Sequence, residues 1–152
     1  MVTHTRVGPV GLKAGLVALA LAACAARPFL PLAMTGAEWQ LDSMVTSTAT
    51  IVTTSLPVAA TVRFLFDLDQ RDRGLVEGSG GCNTYTGEYR ALRGNGVTIG
   101  SVTRTLIACG DTRDQLEFEF LSRLATVDSY SLADDQLTLH TTTGDGLYFH
   151  TP

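Results

Sequence analysis

The sequence lacks the features that mark several specialised classes of protein. It has no internal repeat, no block of like charges and no apolar run of about twenty residues, the length that a membrane-spanning helix needs. Its content of 45% hydrophobic and 17% charged residues argues against long-range disorder. The 152 residues therefore predict one folded domain with a modest core.

Positive charge is also scarce. The formal net charge of the whole chain is −4. Two cations, Arg6 and Lys13, lie in a segment interpreted below as a removed leader without acids, so nine arginines and fifteen acids remain, a net charge of −6. Binding to a nucleic-acid backbone needs clustered cations. Nucleic acid is therefore not expected as a partner.

The first 23 residues have the pattern of a lipoprotein signal peptide. A polar segment ending at Lys13 precedes the apolar run Ala14 to Ala23, about ten residues long. The run ends in Leu21-Ala22-Ala23-Cys24, which resembles the lipobox of bacterial lipoproteins, where the signal is cut before the cysteine and lipid is attached to it. We expect lipidation of Cys24 and anchoring in the cell envelope, on the periplasmic or extracytoplasmic face of a membrane. The alternative, ordinary secretory cleavage, would leave an exposed thiol, which is a liability in an exported protein.

Residues 24–37 predict a tether, and residues 38–152 predict the folded domain. The tether segment has two prolines and no clear hydrophobic period. The domain starts where Trp39 and Leu41 alternate with polar neighbours, as in a half-buried strand. The threonine-rich residues 45–59 predict an extended loop or an edge hairpin. Further strand patterns occupy residues 61–67, 97–102, 129–132, 136–140 and 147–150. The turn signal Gly94-Asn95-Gly96 joins the pattern that continues from Arg90 to the return strand at residues 97–102.

A glycine-rich stretch over residues 78–89 interrupts the strand pattern. Four glycines in ten residues indicate a bulge or a sharp bend. Alternation then resumes with Asn83, Tyr85 and Tyr89 on one face, which we interpret as a possible ligand face, although aromatic residues on strands more often pack in the core. Asn83 is expected to bond the backbone of the bend and hold its shape. No lysine follows the glycines, which excludes a phosphate-binding loop.

One segment follows a helical period instead. Thr112-Arg113-Asp114-Gln115 predicts a capping box, with Thr112 at the N-cap and Gln115 reaching back to it. The apolar stripe that follows consists of Leu116, Phe120, Leu124 and Val127, widened by Leu121. The sequence therefore predicts an α+β fold, a strongly bent antiparallel β-sheet of about six to eight strands packed against a single α-helix.

Cys82 and Cys109 are predicted to form a disulfide, because an even pair of cysteines within an exported domain is typical of one. The bond would stabilise the domain by about 3–4 kcal/mol. The alternative is a nucleophilic cysteine paired with His140 or His150. Neither cysteine has a basic residue within two positions to support that alternative.

No metal ion or other cofactor is expected. The acids Asp67, Asp69 and Asp72 resemble a calcium loop only superficially. Arg71 and Gly78 stand where such a loop needs oxygen ligands, so calcium is excluded.

The last two strand patterns predict a hairpin with a defined register. A three-residue loop, Gly144-Asp145-Gly146, would place His140 directly opposite His150 on the outer face. Two solvated histidines are expected there rather than zinc, which needs three or four protein ligands. The residues predicted to face the core are Leu137, Leu139, Leu147 and Phe149.

The order of these motifs resembles the META domain, the HslJ-like group of bacterial envelope proteins. The matching segments cover roughly Glu38 to His150 and include Trp39-Gln40-Leu41, Gly80-Gly81-Cys82-Asn83-Thr84-Tyr85-Thr86-Gly87-Glu88-Tyr89, residues 105–109, 118–124, 137–139 and 147–149. The family often has Thr-Arg-Met-Ala-Cys where Leu106 and Ile107 replace the arginine and methionine, so no role of that arginine is carried over. The resemblance implies a small exported protein or lipoprotein, loosely linked to heat stress, drug tolerance or motility. No catalytic mechanism is established for the domain, so no active-site residues are carried over.

These observations predict a non-enzymatic envelope lipoprotein that acts as a binding or structural module, linked to envelope stress or drug tolerance. Its partners would be a membrane, through the N-terminal lipid, and an envelope protein or small ligand. One alternative is a carrier of a small hydrophobic ligand, which needs an apolar cavity beneath the bent sheet. Another is a small thiol-dependent hydrolase, which needs polar groups that converge on Cys82 or Cys109.

Overall fold

Alternation of buried and exposed side chains organises most of the chain into antiparallel strands. The computed structural model describes residues 28–46, 48–52 and 59–152, which contain ten strands and one helix. In chain order these are β1 Glu38–Val45, β2 Thr50–Val52, β3 Thr61–Phe66, β4 Arg73–Ser79, β5 Thr84–Ala91, β6 Val97–Ile99, β7 Thr103–Arg104, α1 Asp111–Leu124, β8 Val127–Ala133, β9 Gln136–Thr141 and β10 Gly146–His150. The predicted signal peptide, Cys24, the start of the tether, and residues 47 and 53–58 of the predicted threonine-rich loop lie outside the described residues.

The strands form one strongly curved sheet that nearly closes on itself. Eight of them follow the order β6-β5-β4-β3-β1-β10-β9-β8, while the short strands β2 and β7 pair with β1 and β5. The two ends meet where Gly96 bridges Ser129 and where Tyr130 N donates to Asn95 O at 2.9 Å. The predicted α+β fold with a bent antiparallel sheet is therefore confirmed, and the short strands account for a total above the expected number.

Helix α1 fills the interior of the curved sheet. Phe120 makes edge-to-face contacts with Tyr85 and Phe149, at centroid distances of 5.9 and 6.3 Å. The stripe residues Leu116, Leu121 and Leu124 are also buried. Val127, predicted as the last residue of the stripe, is buried too, but it lies in β8 because the helix ends at Leu124.

The segment that precedes β1 packs against the sheet. Leu30 and Met34 are buried in the core, and Trp39 Nε1 donates a hydrogen bond of 3.0 Å to Met34 O. The packed domain therefore includes residues, from Leu30 onward, that the sequence analysis assigned to the tether. Within the described ranges, no helix combines the length and the apolar character needed to cross a bilayer.

The predicted capping box is wrong, because α1 begins earlier. Gly110 is the N-cap, and its carbonyl oxygen accepts the amides of Arg113 and Asp114, each at 3.0 Å. Asp114 Oδ1 reaches back to Cys109 N at 3.0 Å, while Gln115 donates to Glu119 instead of to the N-cap. The acids Asp111 and Asp114 lie in the first turn, where the helix dipole favours negative charge.

Strands β9 and β10 face the core as predicted but pair in a different register. The predicted core residues are all buried, namely Leu137, Leu139, Leu147 and Phe149. His140 lies opposite Gly146, and His150 lies opposite Gln136. The prediction that the two histidines face each other is therefore wrong.

The register differs because Thr141 closes a longer turn than the predicted one. Its hydroxyl oxygen accepts Asp145 N at 2.9 Å, and its own amide donates to Asp145 O at 3.0 Å. Asp145 is also held from α1, since Arg123 Nε lies 3.2 Å from Asp145 Oδ2. These contacts place the turn at residues 142–145.

The position of α1 can be tested with two phenylalanines of the same helix. Phe120→Ala should lower the free energy of unfolding by about 3–5 kcal/mol, because it leaves a cavity between α1 and the sheet. Phe118→Ala is the matched control, since this side chain is 63% exposed, and its effect should stay within about 0.5 kcal/mol. Urea denaturation measures both values. Equal losses for the two variants would contradict the orientation of the helix.

Candidate functional site

The glycine-rich bend brings the backbone unusually close to α1. A Cβ atom on Gly80 would lie 2.6 Å from Glu117 Cγ, so this position excludes any side chain unless Glu117 moves. Gly81 has a φ of 93°, which side chains rarely tolerate. Gly80 N donates to Asn83 O at 2.7 Å and closes the bend. The two glycines thus allow Asn83 and Glu117 to meet.

Asn83 is buried, and both the oxygen and the nitrogen of its side-chain amide form hydrogen bonds. Its Oδ1 accepts hydrogen bonds from Ile107 N at 2.7 Å and from Thr105 Oγ1 at 2.8 Å. Its Nδ2 donates to Ile107 O at 3.0 Å and to Glu117 Oε2 at 2.8 Å. The side chain therefore holds the loop after β7 and the helix, and the prediction that it bonds the backbone of the bend is wrong.

Glu117 is a fully buried carboxyl group that the sequence analysis missed. Its Oε2 accepts from Asn83 and from Arg104 Nη1, the latter at 3.1 Å, while Oε1 has no hydrogen-bond partner among the described residues. Burial of such a group is unfavourable unless it is paired and hydrogen-bonded. The signal in the sequence was a carboxyl residue at helical spacing from Leu121 and Leu124, on the apolar stripe.

A disulfide joins the bend to the start of α1. Cys82 and Cys109 are bonded, with their Cα atoms 5.9 Å apart, as the sequence predicted. Among the described residues, one cluster has the spacing of metal ligands, and it consists of these two sulfurs and a carboxylate oxygen of Asp114. The bonded sulfurs offer no thiolate to a metal or to a substrate.

A polar groove of about 610 Å³ lies beside this network. It is lined by Glu38, Arg63, Glu77, Gly78, Thr84, Tyr85, Thr86, Thr103, Arg104 and Thr105. Four of these are threonines, and the groove also holds two acids and two arginines, with Arg63 Nη2 3.4 Å from Glu38 Oε2. Such a lining can hydrogen-bond and ion-pair with a polar ligand, and none of its described members is a histidine, cysteine or serine.

The predicted ligand face consists of Tyr85 and Tyr89 in β5 and of Asn83 directly before the strand, and it points inward. Asn83, Tyr85 and Tyr89 are all buried, and Tyr89 packs edge-to-face on Phe64 at 5.5 Å. Tyr85 is the one of the three that borders the groove, and its hydroxyl donates to Thr61 O at 2.8 Å. Burial, together with the negative charge of Glu77, raises the pKa of the Tyr85 hydroxyl. Ligand binding by this face stays a prediction.

The two histidines have separate partners far from the cysteines in sequence. His140 Nε2 lies 2.7 Å from Ser131 Oγ, and His150 Nδ1 lies 2.7 Å from Asp42 Oδ1. Each contact is made on the sheet surface, between neighbouring strands. Neither histidine is therefore paired with Cys82 or Cys109.

The buried network can be tested with the two asparagines of the chain, Asn83 and Asn95. Asn83→Asp places a second carboxyl group against Glu117 and should lower the free energy of unfolding at pH 7 by about 3–5 kcal/mol. The loss should shrink in mild acid, because the folded variant binds a proton that relieves the repulsion and the unfolded chain does not.

Asn95→Asp is the control, since Asn95 is exposed and should tolerate the change within about 0.5 kcal/mol. Denaturant titrations at several pH values measure both variants. A pH-independent loss in Asn83→Asp would rule out the proposed charge repulsion.

The stabilising effect of the disulfide can be tested separately. Replacing Cys82 and Cys109 together by alanine should lower the free energy of unfolding by about 3–4 kcal/mol, because the bond spans 27 residues. Thermal unfolding with and without reductant provides the control: reductant should lower the Tm of the native protein and leave that of the double variant unchanged. A native Tm insensitive to complete reduction would contradict a stabilising bond.

Comparison with known proteins identifies the family. The sequence profile of the META domain matches residues 32–151. The fold is similar to the NMR structure of a protein from Burkholderia xenovorans, with 22% identity and a TM-score of 0.64 over 100% of this chain and 99% of that one. It is also similar to the crystal structure of a DUF4847 family protein from Bacteroides vulgatus, with 14% identity and a TM-score of 0.53 over 77% of this chain and 93% of that one. These two likenesses show the fold alone, and no curated protein matches the chain. Because the profile spans most of the sequence, the chain belongs to the META domain family.

Proposed function

We propose that this protein is a non-enzymatic lipoprotein of the cell envelope, anchored through Cys24, whose META domain acts as a binding or structural module. The observation that carries the proposal is the sequence Leu21-Ala22-Ala23-Cys24 at the end of a short apolar run. Leu30, the first buried residue among those described, follows six positions after Cys24. The anchor would therefore hold the domain close to the membrane surface.

The Cys82–Cys109 disulfide supports export. Disulfides persist in the periplasm and on cell surfaces and are rare in the reducing cytosol. Here the bond joins the glycine-rich bend to the start of α1, next to the buried network of Asn83. An oxidising compartment would thus keep the most constrained region of the domain in place.

The polar groove supports binding rather than catalysis. Its arginines, acids and threonine hydroxyls can recognise a polar small molecule or the surface of an envelope protein. Catalysis by a nucleophile needs an activating base within hydrogen-bond reach. The candidate nucleophiles of the groove are its threonines and Tyr85. Among the described residues, no hydrogen bond joins one of these threonines to the Glu38 or Glu77 carboxylate, and Tyr85 donates its proton to Thr61 O. A link to envelope stress or drug tolerance, as the family resemblance implies, would operate through such binding.

Two alternative functions are less well supported. A carrier of a hydrophobic ligand would need space beneath the sheet, where Tyr85, Phe120 and Phe149 pack edge to face. A thiol-dependent hydrolase would need a free cysteine, whereas Cys82 and Cys109 are bonded to each other.

The anchor can be tested on protein extracted from membranes of a bacterial host. Mass spectrometry should show a mature chain that begins at Cys24 and carries acyl groups, because the lipobox directs both steps. Cys24→Ala is the control and should carry no lipid and keep its uncleaved leader, because both steps need the cysteine of the lipobox. A mature N-terminus at another residue, without acylation, would refute the proposed lipoprotein.

A further inference from the structure

Exposed apolar side chains gather on one surface beside the N-terminal segment. Phe29 and Leu32 precede β1, while Phe66 and Leu68 lie at the end of β3 and in the turn that follows it. All four are exposed, and together with Leu30, Thr35 and Arg71 they line one groove of about 330 Å³. We call this group of residues the N-terminal apolar surface.

The β3–β4 turn presents Leu68 outward by its own hydrogen bonds. Asp67 Oδ1 accepts Asp69 N at 2.8 Å, and Asp67 N donates to Arg73 O at 3.2 Å. These contacts fix the turn on both sides of Leu68, which remains 82% exposed. Turns are usually polar, and clustered exposed apolar side chains typically mark a surface that contacts something else.

The length of the chain restricts what this surface can contact. Phe29 follows Cys24 by five residues, which span at most about 17 Å when fully extended. A lipidated Cys24 lies at the headgroup region of a bilayer, which is itself about 5–8 Å thick on each side of the hydrocarbon core. Phe29 and its neighbours therefore stay within reach of the membrane surface.

We propose that the N-terminal apolar surface docks onto the lipid bilayer in which Cys24 is anchored; this inference rests on the lipoprotein proposed above. Phe29, Leu32, Phe66 and Leu68 enter the interfacial region, and the Arg71 guanidinium extends to lipid phosphates. Burial of apolar area drives the contact, since the acids Asp67, Asp69 and Asp72 in the same turn offset the positive charge of Arg71. The contact adds a second membrane signal to the lipid, which makes anchoring more stable than one signal alone.

Docking in this way orients the domain. The β3–β4 turn lies at one end of β4, and the glycine-rich bend with Asn83 follows the other end. The seven residues of β4 span about 23 Å. The polar groove, which includes Glu77 and Gly78 near the far end of β4, is then presented away from the bilayer.

Two leucines allow a matched test by tryptophan fluorescence. Leu68 is 82% exposed in the docking surface, and Leu106 is 84% exposed in the loop bonded to Asn83, beyond the far end of β4. The full chain with Leu68→Trp or Leu106→Trp is produced in a bacterial host, extracted from membranes and reconstituted in phosphatidylcholine vesicles with or without brominated acyl chains, which quench nearby tryptophan. The native Trp39 is the single tryptophan of the chain and is buried, so it adds the same background to both variants.

The acylation of Cys24 is determined on the same samples by mass spectrometry. With the lipid present, brominated lipid should quench the emission of Leu68→Trp at least twofold more than that of Leu106→Trp. Equal quenching of the two variants with the lipid present would overturn the docking and leave the anchor intact. Absence of the lipid would refute the proposed lipoprotein, and the docking that depends on it would fall as well.

Discussion

A carboxyl group enclosed by protein must find polar partners inside the fold, and Glu117 finds them in Asn83 and Arg104. This requirement determines several other features. Gly80 leaves room for the carboxyl group, and the same Asn83 amide holds the loop backbone at Ile107. The helix, the bend and the loop after β7 are therefore mutually dependent, and the nearby disulfide limits how far they can separate.

The sequence predicted those parts of the molecule whose patterns are local. Alternation placed Tyr85 and Tyr89 on the inward face of β5, and the helical stripe identified Phe120 as a core residue. Prediction from the sequence failed where a residue's hydrogen-bond or ion-pair partner is set by contacts beyond the local pattern. The helix start was misplaced because the N-cap is Gly110, and Asp114 in the first turn accepts a hydrogen bond from the Cys109 amide. The β9–β10 register was misplaced because Thr141 and Arg123 both hold Asp145. Glu117 was missed because its partner Asn83 lies 34 residues earlier.

The two proposed roles of the domain, membrane docking and binding in the polar groove, lie at opposite ends of β4. At one end, exposed apolar residues such as Leu68 form the surface that we propose docks onto the bilayer. At the other end, Arg104 belongs both to the buried network and to the lining of the polar groove. A ligand that pairs with Arg104 would compete with Glu117 for the guanidinium group. Binding in the groove would then be coupled to the packing of α1.

Amide hydrogen exchange by NMR tests the central role of Asn83 most directly. Ile107 lies in an exposed loop without regular secondary structure, yet its amide donates to the buried Asn83 Oδ1 at 2.7 Å. If the network holds the domain together, this amide should exchange as slowly as the amides of α1, because both become free only when the network opens. Exchange of the Ile107 amide at the rate of an unprotected loop, while the α1 amides stay protected, would contradict the account.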